Sequence, residues 1–135
     1  MKFYLNNNIG NTYSINLDDS RFIYKNKEFD IAIIVINPKD KINAVISCLE
    51  IENNGDNIKS IESFSGAYKN KFVYIIQYPK GNNCEVSFGM MEIVGDNNEY
   101  HIKHKCNTTY GSSGSPIILL SNSKVIGIHL FAPKK

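Results

Sequence analysis

Residues 108–120 read Thr108-Thr109-Tyr110-Gly111-Ser112-Ser113-Gly114-Ser115-Pro116-Ile117-Ile118-Leu119-Leu120. A second run, Lys124-Val125-Ile126-Gly127-Ile128-His129, follows after Ser121-Asn122-Ser123. Gly111 and Gly114 let the backbone enter positive φ angles and turn its N–H groups to one side. A serine at the apex of such a turn is exposed, with amides aimed at one point. That is the arrangement of a nucleophile beside an oxyanion hole. Two other readings compete with it. Gly-Ser runs also make plain flexible turns. A phosphate-binding loop needs a Lys after the glycines and a helix behind them; Pro116 and a β-branched run stand there instead, which excludes it.

Outward from this stretch the pattern is β. Pro116 to Leu120 and Lys124 to Phe131 form two strands joined by the Ser-Asn-Ser turn. Lys71 to Tyr78 is a strand ended by Pro79-Lys80-Gly81. Cys84 to Val94 is another, with Gly89 expected at a bulge or bend. Glu99 to Cys106 alternates, with Tyr100, Ile102 and His104 on one face and His101, Lys103 and Lys105 on the other. Nearer the start, Thr12 to Leu17 alternates as a half-buried strand and turns at Asp18-Asp19-Ser20. Arg21 to Tyr24 is short, and Phe29 to Ile36 is a continuous apolar run read as one buried strand. Ile42 to Ile51 suits a helical turn or a strand equally. Asn53-Asn54-Gly55-Asp56-Asn57 is polar and central, the best linker in the chain. Short strands with Gly and Asn turns, and no βαβ alternation, repeat or heptad, give an all-β barrel or sandwich.

Composition narrows the function. Of 135 residues, 42% are hydrophobic and 21% charged, the balance of a globular domain. The 15 basic residues nearly cancel the 13 acidic ones, leaving +2. No block of Lys and Arg marks a nucleic-acid surface, so no nucleic-acid partner is expected. The apolar run Ile31 to Ile36 is too short to span a bilayer. Asn6 interrupts the N-terminus before any signal-peptide core develops, and the expected location is the cytoplasm. Cys48, Cys84 and Cys106 are widely spaced and odd in number. They are read as thiols acting as small hydrophobes, with no disulfide framework, metal site or cofactor.

Taken together the motifs resemble the chymotrypsin-like serine peptidases, and most closely the glutamyl endopeptidase branch and related trypsin-like domains. The family's nucleophile lies in Gly-x-Ser-Gly-Ser/Gly-Pro, matched by Gly111 to Pro116. A strand ending Gly-Ile-His follows a hairpin, matched by Gly127-Ile128-His129. An aromatic-Asp-Ile-Ala-aliphatic-aliphatic run carries the catalytic Asp, matched by Phe29-Asp30-Ile31-Ala32-Ile33-Ile34. Tyr78-Pro79 and Gly89 fall where the second barrel begins. The resemblance covers roughly residues 12 to 131. It implies a trypsin-like double β-barrel, here incomplete: residues 1–57 as the remnant of the first barrel with the Asp, and 58–135 as most of the second with the Ser loop.

By that resemblance Ser113 is the nucleophile of peptide-bond hydrolysis through an acyl-enzyme. The Gly111 and Ser113 amides form the oxyanion hole, and Asp30 orients the catalytic histidine. Ser112 stands where zymogen-activated relatives carry an Asp, so no such activation switch is expected. Thr108 and His129 match the lining of the first specificity pocket in glutamyl endopeptidases, which implies cleavage of peptides after Glu or Gln. The competing reading leaves His129 as a packed strand residue.

The base is missing. In the family it lies N-terminal to the Asp, yet no histidine precedes His101. The expectation is a chain cut at both ends. His101 and His104 lie on a strand approaching from the specificity side, and His129 faces the substrate side chain. All three are read as solvated or packed rather than as substitutes. Losing the base of a triad lowers turnover on the order of 10⁶-fold, so the 135 residues alone are expected to be nearly inert. Open sheet edges would invite self-association. A non-catalytic pseudopeptidase that binds peptides or partners is the second reading, and an unrelated small β domain the third.

Overall fold

Val73, Ile75 and Gln77 are buried along β5 (Phe72–Gln77), while Phe72, Tyr74 and Ile76 face the other way. This period of two makes β5 the central strand of an antiparallel sheet. The computed structural model describes residues 2–4, 12–53, 60–92 and 102–130. These fall into two compact units, Met1–Cys48 and Leu49–Lys135.

In the second unit β5 is flanked by β6 (Glu85–Glu92) on one side and β8 (Pro116–Leu119) on the other. β7 (Lys103–His104) adds to β6, and β9 (Val125–Ile128) to β8, giving the order β7-β6-β5-β8-β9. The sheet curls into a half-barrel. Its two outermost strands carry side chains that meet, for His104 and His129 are in contact and Ile102 lies against Gly127. Inside sit Val73, Ile75, Met91, Cys106, Ile117 and Leu119, closed at one end by Tyr68. Ile51 makes a parallel bridge to Val125, within the stretch where the sequence left helix and strand undecided.

Tyr68 comes from α1 (Ile61–Tyr68), an element the sequence reading did not anticipate. Its signal is a capping box. Ser60 Oγ accepts from the Ser63 amide at 3.3 Å, and Ser63 Oγ accepts from the Ser60 amide at 3.1 Å. Phe64 and Tyr68, one turn apart, stack with ring centroids 4.6 Å apart. The usual box carries Glu or Gln at the third position; Ser63 there, and Gly66 inside, hide the helix.

Gly89 corrects a second expectation. It sits in unbroken pairing with Val73, not at a bulge. A Cβ there would collide with the Cys106 amide nitrogen and with the Lys105 carbonyl carbon. The glycine is needed because another segment of backbone crosses directly over it.

The first unit is slighter. β1 (Lys2–Tyr4) pairs with β2 (Thr12–Ser14), and β3 (Ile23–Asn26) with β4 (Ile31–Ile34), each pair antiparallel. A 3₁₀ turn follows at Lys41–Ala44. The expected buried strand Phe29 to Ile36 is shorter than its hydropathy suggested. Residues 27–30 form the hairpin turn, and Ile33 and Val35 are exposed. Among the described residues β4 pairs only with β3, so its outward side chains have no second strand beside them. Arg21 closes the unit. Its guanidinium grips Asp40 through two 2.9 Å bonds, and also donates to the carbonyls of Asn16 and Val35 at 2.6 Å each. The expected linker at 53–57 lies almost wholly outside the described residues, as do the first three residues of the strand expected from Glu99 to Cys106 and the end of that expected to reach Phe131.

Candidate active site

The serine loop connects β7 to β8, and its shape follows from two glycines and one buried serine. Gly111 and Gly114 have φ of 89° and 85°, where a side chain would be strained. At Gly111 a Cβ would also meet the Lys80 amide nitrogen at 2.8 Å. That close approach is held by a 2.8 Å bond from the Lys80 amide to the Tyr110 carbonyl. Ser112 is fully buried and clasps Thr109 twice. Its amide donates to the Thr109 carbonyl at 3.1 Å, and its Oγ accepts from the Thr109 amide at 3.2 Å.

The amides of this loop divide into two sets. Ser112, Gly114 and Ser115 all spend theirs inside the protein, on the carbonyls of Thr109, His129 and Ser112. Among the described residues, the Gly111 and Ser113 amides have no acceptor. Ser113 itself is exposed at the apex. Two unspent donors beside an exposed hydroxyl can stabilise negative charge on a substrate oxygen as the hydroxyl adds to its carbonyl carbon.

Below the loop a polar layer replaces the apolar core. Ser115 and His129 exchange backbone bonds through the loop, with the His129 amide donating to the Ser115 carbonyl at 2.8 Å and the Gly114 amide to the His129 carbonyl at 2.7 Å. His129 is 5% exposed and Gln77 3%. Gln77 Nε2 donates to the Asn107 carbonyl at 3.0 Å. His104, from β7, lies with Nε2 3.1 Å from His129 Nδ1, the rings edge to face. Burial pushes both imidazoles below their usual range, and a charge on His129 would further disfavour one on His104. Thr108 is half-buried at the root of the loop.

The family scan matches residues 7–128 to the trypsin-like peptidase domain. The chain belongs to the trypsin-like peptidase domain family. No curated protein and no solved structure gives a significant match. The incomplete trypsin-like β-barrel fold and a serine-peptidase type of function follow from this membership together with the curled sheet. Peptides or proteins are the substrates such a domain takes.

Within the trypsin-like domain, the loop's own hydrogen bonds connect Ser112, Gly114, Ser115 and His129, and Gly111 and Ser113 stand between these residues in the chain. Asp30 belongs to the first unit, exposed at the end of the β3–β4 turn with φ of 51°. His101 lies outside the described residues. His104 is the residue whose importance the sequence reading underrated. It was visible on the inward face with Ile102, but its partner is far away in sequence and is met only when the sheet curls. The thiols divide: Cys106 is buried and pushed up to about 11 by desolvation, whereas Cys48 and Cys84 are exposed and do not act as core residues. Among the described residues no cluster of His, Cys, Asp or Glu could hold a metal, and no helix is long and apolar enough to cross a membrane.

Proposed function

We propose that this chain is a serine endopeptidase domain whose nucleophile is Ser113, cleaving peptide bonds through an acyl-enzyme. The observation that carries the proposal is the exposed Ser113 beside two amides, its own and that of Gly111, that no group among the described residues uses. These amides act as the oxyanion hole. Asp30 has the role of orienting the catalytic histidine, by its place in the family motif. Residues 1–57 then stand for the first-barrel remnant and 58–135 for the second barrel. Thr108 and His129 line the specificity pocket, and the side chain taken there is Glu or Gln. The 135 residues hold no histidine before Asp30, so they do not supply the base. Without it, loop and binding contributions leave only about 10³–10⁴ of rate over water.

Labelling tests this reading. A fluorophosphonate probe with added imidazole is expected to modify Ser113, located by mass spectrometry, and to leave the Ser113→Ala chain unmodified. Equal modification of both chains contradicts it. The second reading, a pseudopeptidase that binds peptides, is favoured by the same absence of a base. It predicts peptide binding with no labelling at any imidazole concentration.

A further inference from the structure

Two buried side-chain atoms lack a hydrogen-bond partner among the described residues, Gln77 Oε1 and His129 Nε2. Their chemical character can be read from groups that cannot change. The Cys106 backbone N–H donates to His104 Nδ1 at 3.2 Å. That nitrogen is therefore bare, and His104 carries its proton on Nε2. His104 Nε2 lies 3.1 Å from His129 Nδ1, so it donates there, and His129 carries its own proton on Nε2. Gln77 is oriented in the same way, because the Asn107 carbonyl takes a proton from Nε2 and leaves Oε1 as the acceptor. The unpartnered atoms are thus one donor and one acceptor. A primary amide offers the complement of both. A carboxylate offers only acceptors, and an ammonium only donors.

We propose that His104 is a positioning residue that locks His129 with its Nε2–H presented, so that the pocket selects glutamine and takes glutamate only with uptake of a proton. The inference rests on the reading of His129 as a specificity-pocket residue. Continuing the β5–β8 and β8–β9 registers past Ile75–Ile117 and Pro116–Ile128 places Gln77, Ser115 and His129 on one rung of the sheet. All three are buried.

The relay resists an added proton on geometric grounds. The only bare ring nitrogens are His104 Nδ1 and His129 Nδ1. A proton on the first displaces the Cys106 amide, and a proton on the second confronts the proton on His104 Nε2. Either way a hydrogen bond is lost in a buried site. Among the described residues no carboxylate acts on either ring to repay the loss. On the rung with His129 stand Gln77 and Ser115, and two residues beyond His104 comes the buried Cys106 thiol, all uncharged near neutrality. Lys103 and Lys105 lie on the exposed face, and Lys105 pairs there with Glu92. The two imidazoles therefore stay neutral at pH 7, the direction in which burial moves them. A bound carboxylate reverses this by favouring the cation. Glutamate binding then tightens as pH falls from where the occupied site takes up its proton toward the lowered range of the empty one, by up to about tenfold per pH unit for one coupled proton, whereas glutamine binding does not need the proton.

The test uses the full chain and two N-acetylated tetrapeptides, Ala-Ala-Ala-Gln and Ala-Ala-Ala-Glu, whose identical α-carboxylates cancel in the comparison. NMR gives the ring-nitrogen shifts and both affinities at pH 7.5 and 5.5. The expected result is an acceptor-type Nδ1 and protonated Nε2 on His129, with the glutamine peptide about tenfold tighter at pH 7.5 and the preference shrinking at pH 5.5. His104→Gln, whose amide can donate to His129 and accept from Cys106, should keep the neutral-pH preference. His104→Phe should abolish it. A protonated Nδ1 in the parent, or an unchanged preference in folded His104→Phe, overturns the proposal. If His104→Phe does not fold, the parent shifts and His104→Gln decide. Binding of neither peptide, with the predicted shifts present, refutes the pocket reading and with it the selectivity, while the relay itself stands.

Discussion

In the second unit, Val73, Ile75, Ile117 and Leu119 close over one another inside a curled five-stranded sheet. In the first, Phe22 is 67% exposed and Ile33 54%, and the chain's single arginine ties Asn16, Val35 and Asp40 together. The second unit also shows apolar side chains outward, Phe72 and Phe88 among them, but it has an interior. Among the described residues the first unit has two-stranded pairs only. Two strands seldom hold themselves in water; among the described residues of this unit only Ile15 and Ile42 are fully buried apolar side chains, and a polar clasp on the loops adds to them. A half-barrel with a packed interior can hold a strained loop; the serine loop, with two glycines at positive φ, sits on such a support.

The largest test of this contrast is a cavity in the stronger unit. Ile75→Ala is expected to destabilise the second unit by about 2–5 kcal/mol. Denaturant titration followed by NMR should show its amides collapsing at lower denaturant while those of residues 12–48 hold their midpoint. A single joint transition in parent and variant would mean that the two units do not differ in this way. Gly111→Ala comes next. It places a Cβ at positive φ against the Lys80 backbone, at a cost of about 1–3 kcal/mol. Hydrogen exchange of the loop amides, those of Ser112 and Ser115 first, should accelerate. Ser112→Ala removes one acceptor from the Thr109 amide and is expected to cost about 1–2 kcal/mol, again read at the loop.

Acid should produce the smallest effect and the sharpest contrast. His104 and His129 are moved downward by burial. The unfolded chain therefore binds more protons than the folded one just below pH 6.5, and the second unit's support from this pair, full above that pH, fades as pH falls toward the lowered folded values. Asp40 is moved downward chiefly by its hydrogen bonds to Arg21. Its contribution is full above about pH 3.9 and is lost only as pH falls through the lowered folded value. Amide spectra recorded from pH 7 to 3 should show the second unit loosening around the histidines first. Loss of the Arg21–Asp40 clasp at pH 5 would break the comparison.

Much of this was legible because it is local. The β5 and β8 strands, the hairpin at Ser121-Asn122-Ser123 and the two loop glycines are written in alternation and turn chemistry that neighbouring residues set. The resemblance to the family rests on the same short stretches. What the sequence hid depends on distant contacts. Gly89 reads as a bend until the chain at Lys105 and Cys106 is seen crossing over it. Phe29 to Ile36 reads as one buried strand because hydropathy cannot show that Asp30 turns and that no second strand flanks β4 among the described residues. The His104–His129 pair joins the two ends of a sheet order, β7 and β9, that no periodicity encodes. The α1 helix was missed for a local reason, a serine standing where a capping box commonly has a longer side chain.

The central claim is that the Ser113 loop is a built nucleophile site lacking only a base. Hydrolysis of a p-nitrophenyl ester by the full chain, with and without added imidazole, tests it most directly. The account predicts that imidazole accelerates hydrolysis at least tenfold beyond its own solution rate, and that Ser113→Ala abolishes the gain while keeping the parent's amide spectrum. An imidazole effect of equal size in parent and Ser113→Ala, or none in either, would contradict it.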